Sequence, residues 1–199
     1  MNNTKRQHTR KLVGIAVFAA IVIVLQLLGA FIRLGQFSVS LVLIPIVVGS
    51  AVYGIGSGTW LGLIFGIAVL LSGDAATFLA ISPVGTVITV LLKGTLAGLA
   101  VDVMYAVFQK INKYLAVFVS AMLCPIANTG VFLIGCKLFF WETIKEWSAA
   151  SEYGADVAKY ALFVLVGGNF IFEFIVNLVM SPAVVRIVDI GKARFNRAK

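Results

Sequence analysis

Charge is scarce in this chain. Only 12% of its 199 residues are Asp, Glu, Lys or Arg, about half the share of an ordinary soluble domain. So few charged groups could not keep in water a chain that is 61% hydrophobic, with a mean hydropathy of +1.05. Histidine occurs once, as His8 in a basic N-terminal stretch. That excludes histidine triads, histidine zinc sites and haem ligation within an apolar interior, and no metal site is expected. The two cysteines, Cys124 and Cys136, lie twelve residues apart in one apolar stretch. On one helix they would stand about 18 Å apart, too far for a disulfide. There is no Walker P-loop and no Gly-x-Ser-x-Gly elbow, so neither of those nucleotide or hydrolase chemistries is available. An enzyme is not expected. Acidic residues number 8 against 16 basic ones, for a net charge of +8. The basic residues sit at the ends of apolar runs, which assigns them to membrane topology rather than to nucleic acid.

What is abundant is apolar sequence in lengths a bilayer requires, roughly 20 residues per spanning helix. Six spans are expected, at about 12–30, 41–53, 59–71, 83–108, 114–140 and 159–185. The apolar run after Lys11 is too long for a signal-peptide core and is read as a retained first helix. Residues 1–11 and 186–199 read as basic tails, the first of them mobile. The second and third spans hold 13 residues each, short of about 30 Å of hydrocarbon. They must extend into flanking segments or cross where protein covers them. The Gly54–Gly58 stretch, GIGSG, reads as the tight turn between them.

Orientation follows from Lys and Arg. Lys5, Arg6, Arg10 and Lys11, then Lys110 and Lys113, then Arg186, Lys192, Arg194, Arg197 and Lys199 all fall on one side if six spans are counted. Asp74, Glu142, Glu146, Glu152 and Asp156 fall on the other. The positive-inside rule puts both termini in the cytoplasm. The expected fold is therefore an all-α membrane protein, a compact bundle of six transmembrane helices forming a single domain over 1–199.

Some groups are costly in lipid. Lys93 in the fourth span and Glu173 in the sixth fall near mid-depth, at roughly 2.5–3.5 kcal/mol each on insertion scales. Either they form an internal ion pair that fixes packing, or Lys93 offers positive charge to an anionic ligand. Asn169, Glu173 and Asn177 recur every fourth residue and share a face. Pro125 interrupts the fifth span beside Asn128 and Thr129, which either satisfy freed backbone groups or line a cavity. Asp102, near the inner end of its span, reads as interfacial. Phe31, Phe37, Phe78, Trp141, Trp147 and Tyr153 fall on the outer side, as a headgroup belt or as lids over a pocket. In the first span Ala16 and Ala20, with Gly14 and Ala19 nearby, leave room for a second helix to approach.

Six helices in under 200 residues, the Ala16-x-x-x-Ala20 spacing, the stretch LIPIVVGSAVYGIGSGTWLGLIFG, CPIANTGVFLIG and NFIFEFIVNLVMSPAVV together resemble the substrate-capture S component of energy-coupling factor (ECF) transporters. The resemblance covers essentially the whole chain and implies a vitamin pocket near the outer face, formed by helices 4–6 and the outer loops. Lys93, Asn128, Thr129, Asn169 and Glu173 are its candidate ligand residues, with Phe37 and Trp141 as candidate lids. It further implies a transmembrane coupling protein docking at Ala16 and Ala20, and two cytoplasmic ATPases that hydrolyse ATP, so that this chain binds no cofactor itself. The location implied is a prokaryotic plasma membrane. Lys93 favours a carboxylate vitamin, with pantothenate, being small, ahead of folate or biotin. The competing expectation is a stand-alone secondary transporter or channel, which would carry inverted repeats; none is seen.

Overall fold

A computed structural model describes residues 3–30, 33–34, 37–38 and 41–196. The chain is helical apart from one short hairpin. Helix α1 (Asn3–Gly29) is followed by two-residue strands β1 (Arg33–Leu34) and β2 (Phe37–Ser38). These pair antiparallel, with Arg33 opposite Ser38 and Leu34 opposite Phe37. Then come α2 (Leu43–Tyr53), α3 (Ser57–Leu71), the short α4 (Ala76–Ile81), α5 (Pro83–Phe108), α6 (Lys113–Phe139) and α7 (Trp141–Ala149). The last helix begins as α8 (Val157–Lys159), widens to a π-helix over Tyr160–Gly167 and continues as α9 (Gly168–Asn196). Among the described residues four stretches are long and apolar enough to cross a membrane: Gln7–Gly29, Pro83–Phe108, Lys113–Phe139 and Val157–Ala193.

The described part of each basic tail is helical. The basic N-terminal stretch is helical from Asn3, as an extension of α1. The chain past residue 185 also remains helical, to Asn196. Lys113 pairs with Asp189 at 2.8 Å, and Lys192 donates to the Tyr105 hydroxyl at 2.9 Å. These contacts tie the last turns of α9 to α6 and α5.

Protein covers the short helix α2 and one side of α3, whose Trp60, Ile67 and Leu71 stay exposed. Nearly every α2 residue from Pro45 to Ala51 is buried, so its 11 residues need not meet lipid along their length. Gly54 and Gly56, at φ of 86° and 91°, make the left-handed turn into α3, where a side chain would strain the backbone. Asp102 completes that turn. Its carboxylate accepts from the Gly56, Gly58 and Thr59 N–H groups at 3.0, 3.0 and 2.8 Å. It also accepts from the Thr59 and Ser50 hydroxyls at 2.7 and 2.6 Å. A helix start carries unpaired N–H groups and positive dipole charge, and a carboxylate answers both. Asp102 is 1% exposed, so it is a buried cap rather than an interfacial residue.

Glycines bring α3 and α5 into backbone contact. Gly58, Gly62 and Gly66 recur every fourth residue on α3 and face Gly94 and Gly98 on α5. Small residues at this spacing drive close helix packing where lipid supplies no hydrophobic force between helices. The expected break at Pro125 is absent: α6 is helical through it. Proline costs one backbone bond there, and the flanking turns of a long helix hold the geometry.

Two apolar clusters result. The larger gathers Val22, Leu43, Ile46, Leu61, Phe65 and Val101. The second gathers Phe78, Cys136, Phe140, Ile144, Tyr160 and Leu165. Both cysteines are free and buried.

Candidate ligand-binding site

A cavity lies where the two clusters meet. It is bordered by Val69, Ala75 and Val90 from the first and by Phe78, Phe140 and Leu165 from the second. The empty space between its walls is about 740 Å³, open solvent at its mouth included.

Each wall is one helix face. Thr86, Thr89, Val90 and Lys93 project from α5 at spacings of three and four, which stacks them on one side of the helix. Asn128, Thr129 and Phe132 come from α6, and Asn169, Phe170 and Glu173 from α9. Gln26 of α1 and Asp74, between α3 and α4, close the remaining sides. The five candidate ligand residues Lys93, Asn128, Thr129, Asn169 and Glu173 thus meet in one cavity.

Lys93 carries the positive charge of the site. Its ammonium lies 5.6 Å from the Phe65 ring centre and 5.5 Å from that of Phe132, within cation–π range. Among the described residues the ion pairs are Lys113–Asp189, Lys145–Glu142 and Lys159–Asp156. No Lys93–Glu173 ion pair is among them. Aromatic faces hold the ammonium, and no carboxylate of a described residue closes over it.

The wall also contains oxygens without partners. Gln26 Oε1, Thr89 Oγ1, Asn128 Oδ1 and Asn169 Oδ1 are buried and make no hydrogen bond among the described residues. An unsatisfied buried polar atom costs about 1–3 kcal/mol, and most such atoms in folded proteins are paired. Four in one cavity wall mark places for the donors of a ligand. Glu173, 5% exposed, sits one helical turn beyond Asn169. Below it Asn177 donates to the Glu173 carbonyl at 2.8 Å, and Ser181 to the Asn177 carbonyl at 2.8 Å.

The aromatic candidates divide. Phe78 is the hub, with ring centres of Phe140, Phe132 and Trp147 at 4.8, 5.6 and 6.0 Å. Trp141 is absent from the cavity wall, and its neighbour Phe140 lines the wall instead. The start of α7 sets that choice, since Phe140 is 2% exposed and Trp141 turns off the buried side. Phe37 belongs to β2 by backbone, but its side chain lies outside the described residues, as does Phe31. Ala16 and Ala20 share an exposed face of α1. The polar wall residues not foreseen are Gln26, Asp74, Thr86 and Thr89.

A bundle of apolar helices enclosing a part-polar, part-charged cavity defines a membrane protein that captures a small solute. Residues 10–188 match the family described as ECF transporter, substrate-specific component, and the chain belongs to that family. It is thus a substrate-binding component of a transporter. It is 28% identical over 207 residues to the pantothenic acid transporter PanT of Lactococcus lactis subsp. cremoris (strain MG1363), covering 96% of this chain and 99% of that protein. No solved structure matches.

Proposed function

We propose that the chain captures pantothenate for an ATP-driven ECF importer in a prokaryotic plasma membrane. The observation that carries this reading is the pairing, in one cavity, of an aromatic-held ammonium (Lys93) with unpartnered amide and hydroxyl oxygens. Pantothenate has the matching parts: a carboxylate for Lys93, and an amide N–H and hydroxyls to donate to Asn128, Asn169 and Thr89. Thr129 and Glu173 complete the polar wall. Folate and biotin also carry carboxylates, but the similarity to PanT favours the smaller acid.

In this reading six helices span the bilayer with both termini cytoplasmic, which places the cavity toward the outside. The energy comes from partners, a transmembrane coupling protein and two cytoplasmic ATPases, and this chain needs no cofactor. The coupling protein docks on the Ala16/Ala20 face of α1, where two methyl groups leave room for a helix.

Calorimetric titration of the purified chain with pantothenate, folate, biotin and riboflavin tests the substrate. Pantothenate should bind tightest. Tighter binding of riboflavin, which lacks a carboxylate, would remove the role given to Lys93.

A further inference from the structure

Among the described residues that line the cavity, Gln26 is the one that comes from α1. It is 1% exposed, which is unusual for a glutamine in an apolar helix. Its Nε2 donates to the Asp74 carboxylate and, at 3.4 Å, to the Ser72 hydroxyl. A carboxylate only accepts, so the amide must present its nitrogen to Asp74. That leaves Oε1 as the second functional end of the side chain, and Oε1 has no partner among the described residues. The orientation of the amide is thus set by Asp74, and the unmet need is for a hydrogen-bond donor.

We propose that Gln26 is a ligand-contact residue that accepts from a hydroxyl or N–H of the bound solute, and that through it helix α1 senses whether the cavity is filled. The inference rests on the cavity being the pantothenate site. Lys93 on α5 takes the acid end of the solute, and Gln26 takes a donor elsewhere along it. A ligand held at both points ties α1 to α5. Ala20 and Ala16 lie six and ten residues before Gln26 on the same helix, about 9 and 15 Å along its axis and roughly a quarter to a third of a turn around it. Occupancy therefore restrains the helix that carries the exposed alanine face. Without ligand, the Gln26 side chain is held by Asp74 and Ser72, both in the segment that links α3 to α4, and a donor for its oxygen is missing.

The test uses the purified full-length chain. Pantothenate affinity is measured by calorimetry for the wild type and for Gln26→Met, which keeps the length of the side chain and removes the amide. Amide hydrogen exchange of α1 is followed with and without saturating pantothenate. The expected result is a loss of about tenfold in affinity, in line with one unmet hydrogen bond, and a ligand-induced slowing of exchange near Gln26 that the variant lacks while α6 and α9 remain protected. Should Gln26→Met fail to fold, Gln26→Asn, whose shorter amide cannot serve Asp74 and the ligand together, takes its place with the same expectation. Unchanged affinity beside a binding wild type overturns the inference alone, as does equal ligand protection of α1 in the variant. A wild type that binds no pantothenate overturns the reading of the cavity, and this inference with it.

Discussion

Gly62 of α3 and Gly94 of α5 touch backbone to backbone: a Cβ on Gly62 would stand 2.1 Å from the Gly94 carbonyl oxygen, and one on Gly94 would stand 2.3 Å from that of Gly62. No side chain can yield there, because both obstacles are main chain. Gly62→Val should therefore force the helices apart at the level of Phe65 and Lys93. Overpacking of this kind costs about 1–3 kcal/mol or somewhat more. Thermal unfolding in detergent should show a clear fall in Tm, whereas Gly130→Ala, where nothing lies within 4 Å of the added carbon, should leave Tm nearly unchanged.

Asp102→Asn keeps the shape of the cap and removes its charge. One carboxylate oxygen becomes an amide nitrogen that faces donors it cannot accept from. A loss of about 2–4 kcal/mol is expected from the unmet bonds and the lost helix-end interaction. The measurement is again Tm, with pantothenate affinity as the control. Asp102 does not line the cavity, so affinity of the folded variant should hold; a binding defect without a stability defect would contradict its role as a cap.

Lys93→Met should separate charge recognition from the rest of the site. Losing a charge-assisted hydrogen bond costs about 1.5–3 kcal/mol, or about a 10- to 150-fold weaker affinity for pantothenate. The neutral alcohol that replaces its carboxylate by CH₂OH should bind the wild type poorly and the variant about as well as the wild type. Calorimetry with both compounds checks this, and a variant that still prefers the acid would locate the carboxylate elsewhere.

Thr89→Val addresses the tension between stability and binding. The Thr89 hydroxyl has no partner among the described residues, so its near-isosteric replacement should raise stability by about 1 kcal/mol. The same change should weaken pantothenate binding. Tm with and without ligand reads both effects, and a fall in ligand-free Tm would mean that the hydroxyl is satisfied.

Ala16→Trp and Ala20→Trp fill an exposed face of α1 away from the cavity. Each should abolish pantothenate uptake by cells that hold the complete transporter, while purified variants bind as the wild type does. Surviving uptake in both would remove the docking role.

The long helices were legible because lipid selects for length and apolarity together, and both can be read residue by residue. Lys93, Asn128, Thr129, Asn169 and Glu173 stood out for the same reason: each is a polar group where lipid tolerates few. Gln26 did not stand out, because a glutamine near a helix end reads as an ordinary interfacial residue. Its meaning depends on Ser72 and Asp74, 46 and 48 residues away. Asp102 was misread on similar grounds, since its five partners lie 43 to 52 residues back. The glycine contact between α3 and α5 was present in the spacing of Gly58, Gly62, Gly66, Gly94 and Gly98 and could have been found by asking of every helix what was asked of the first. Trp141 against Phe140 turns on the angle at which α7 leaves α6, which no local pattern encodes.

The π-helical stretch over Tyr160–Gly167 immediately precedes the cavity residues of α9. A π turn holds more residues than an α turn, so relaxing that stretch to α geometry at unchanged length would turn everything downstream about the helix axis. Asn169 and Glu173 would then swing off the cavity while every residue of the wall kept its identity. The aim of one wall of the pocket is in that sense set from outside it, by the winding of a helix rather than by the chemistry of the residues that touch the solute.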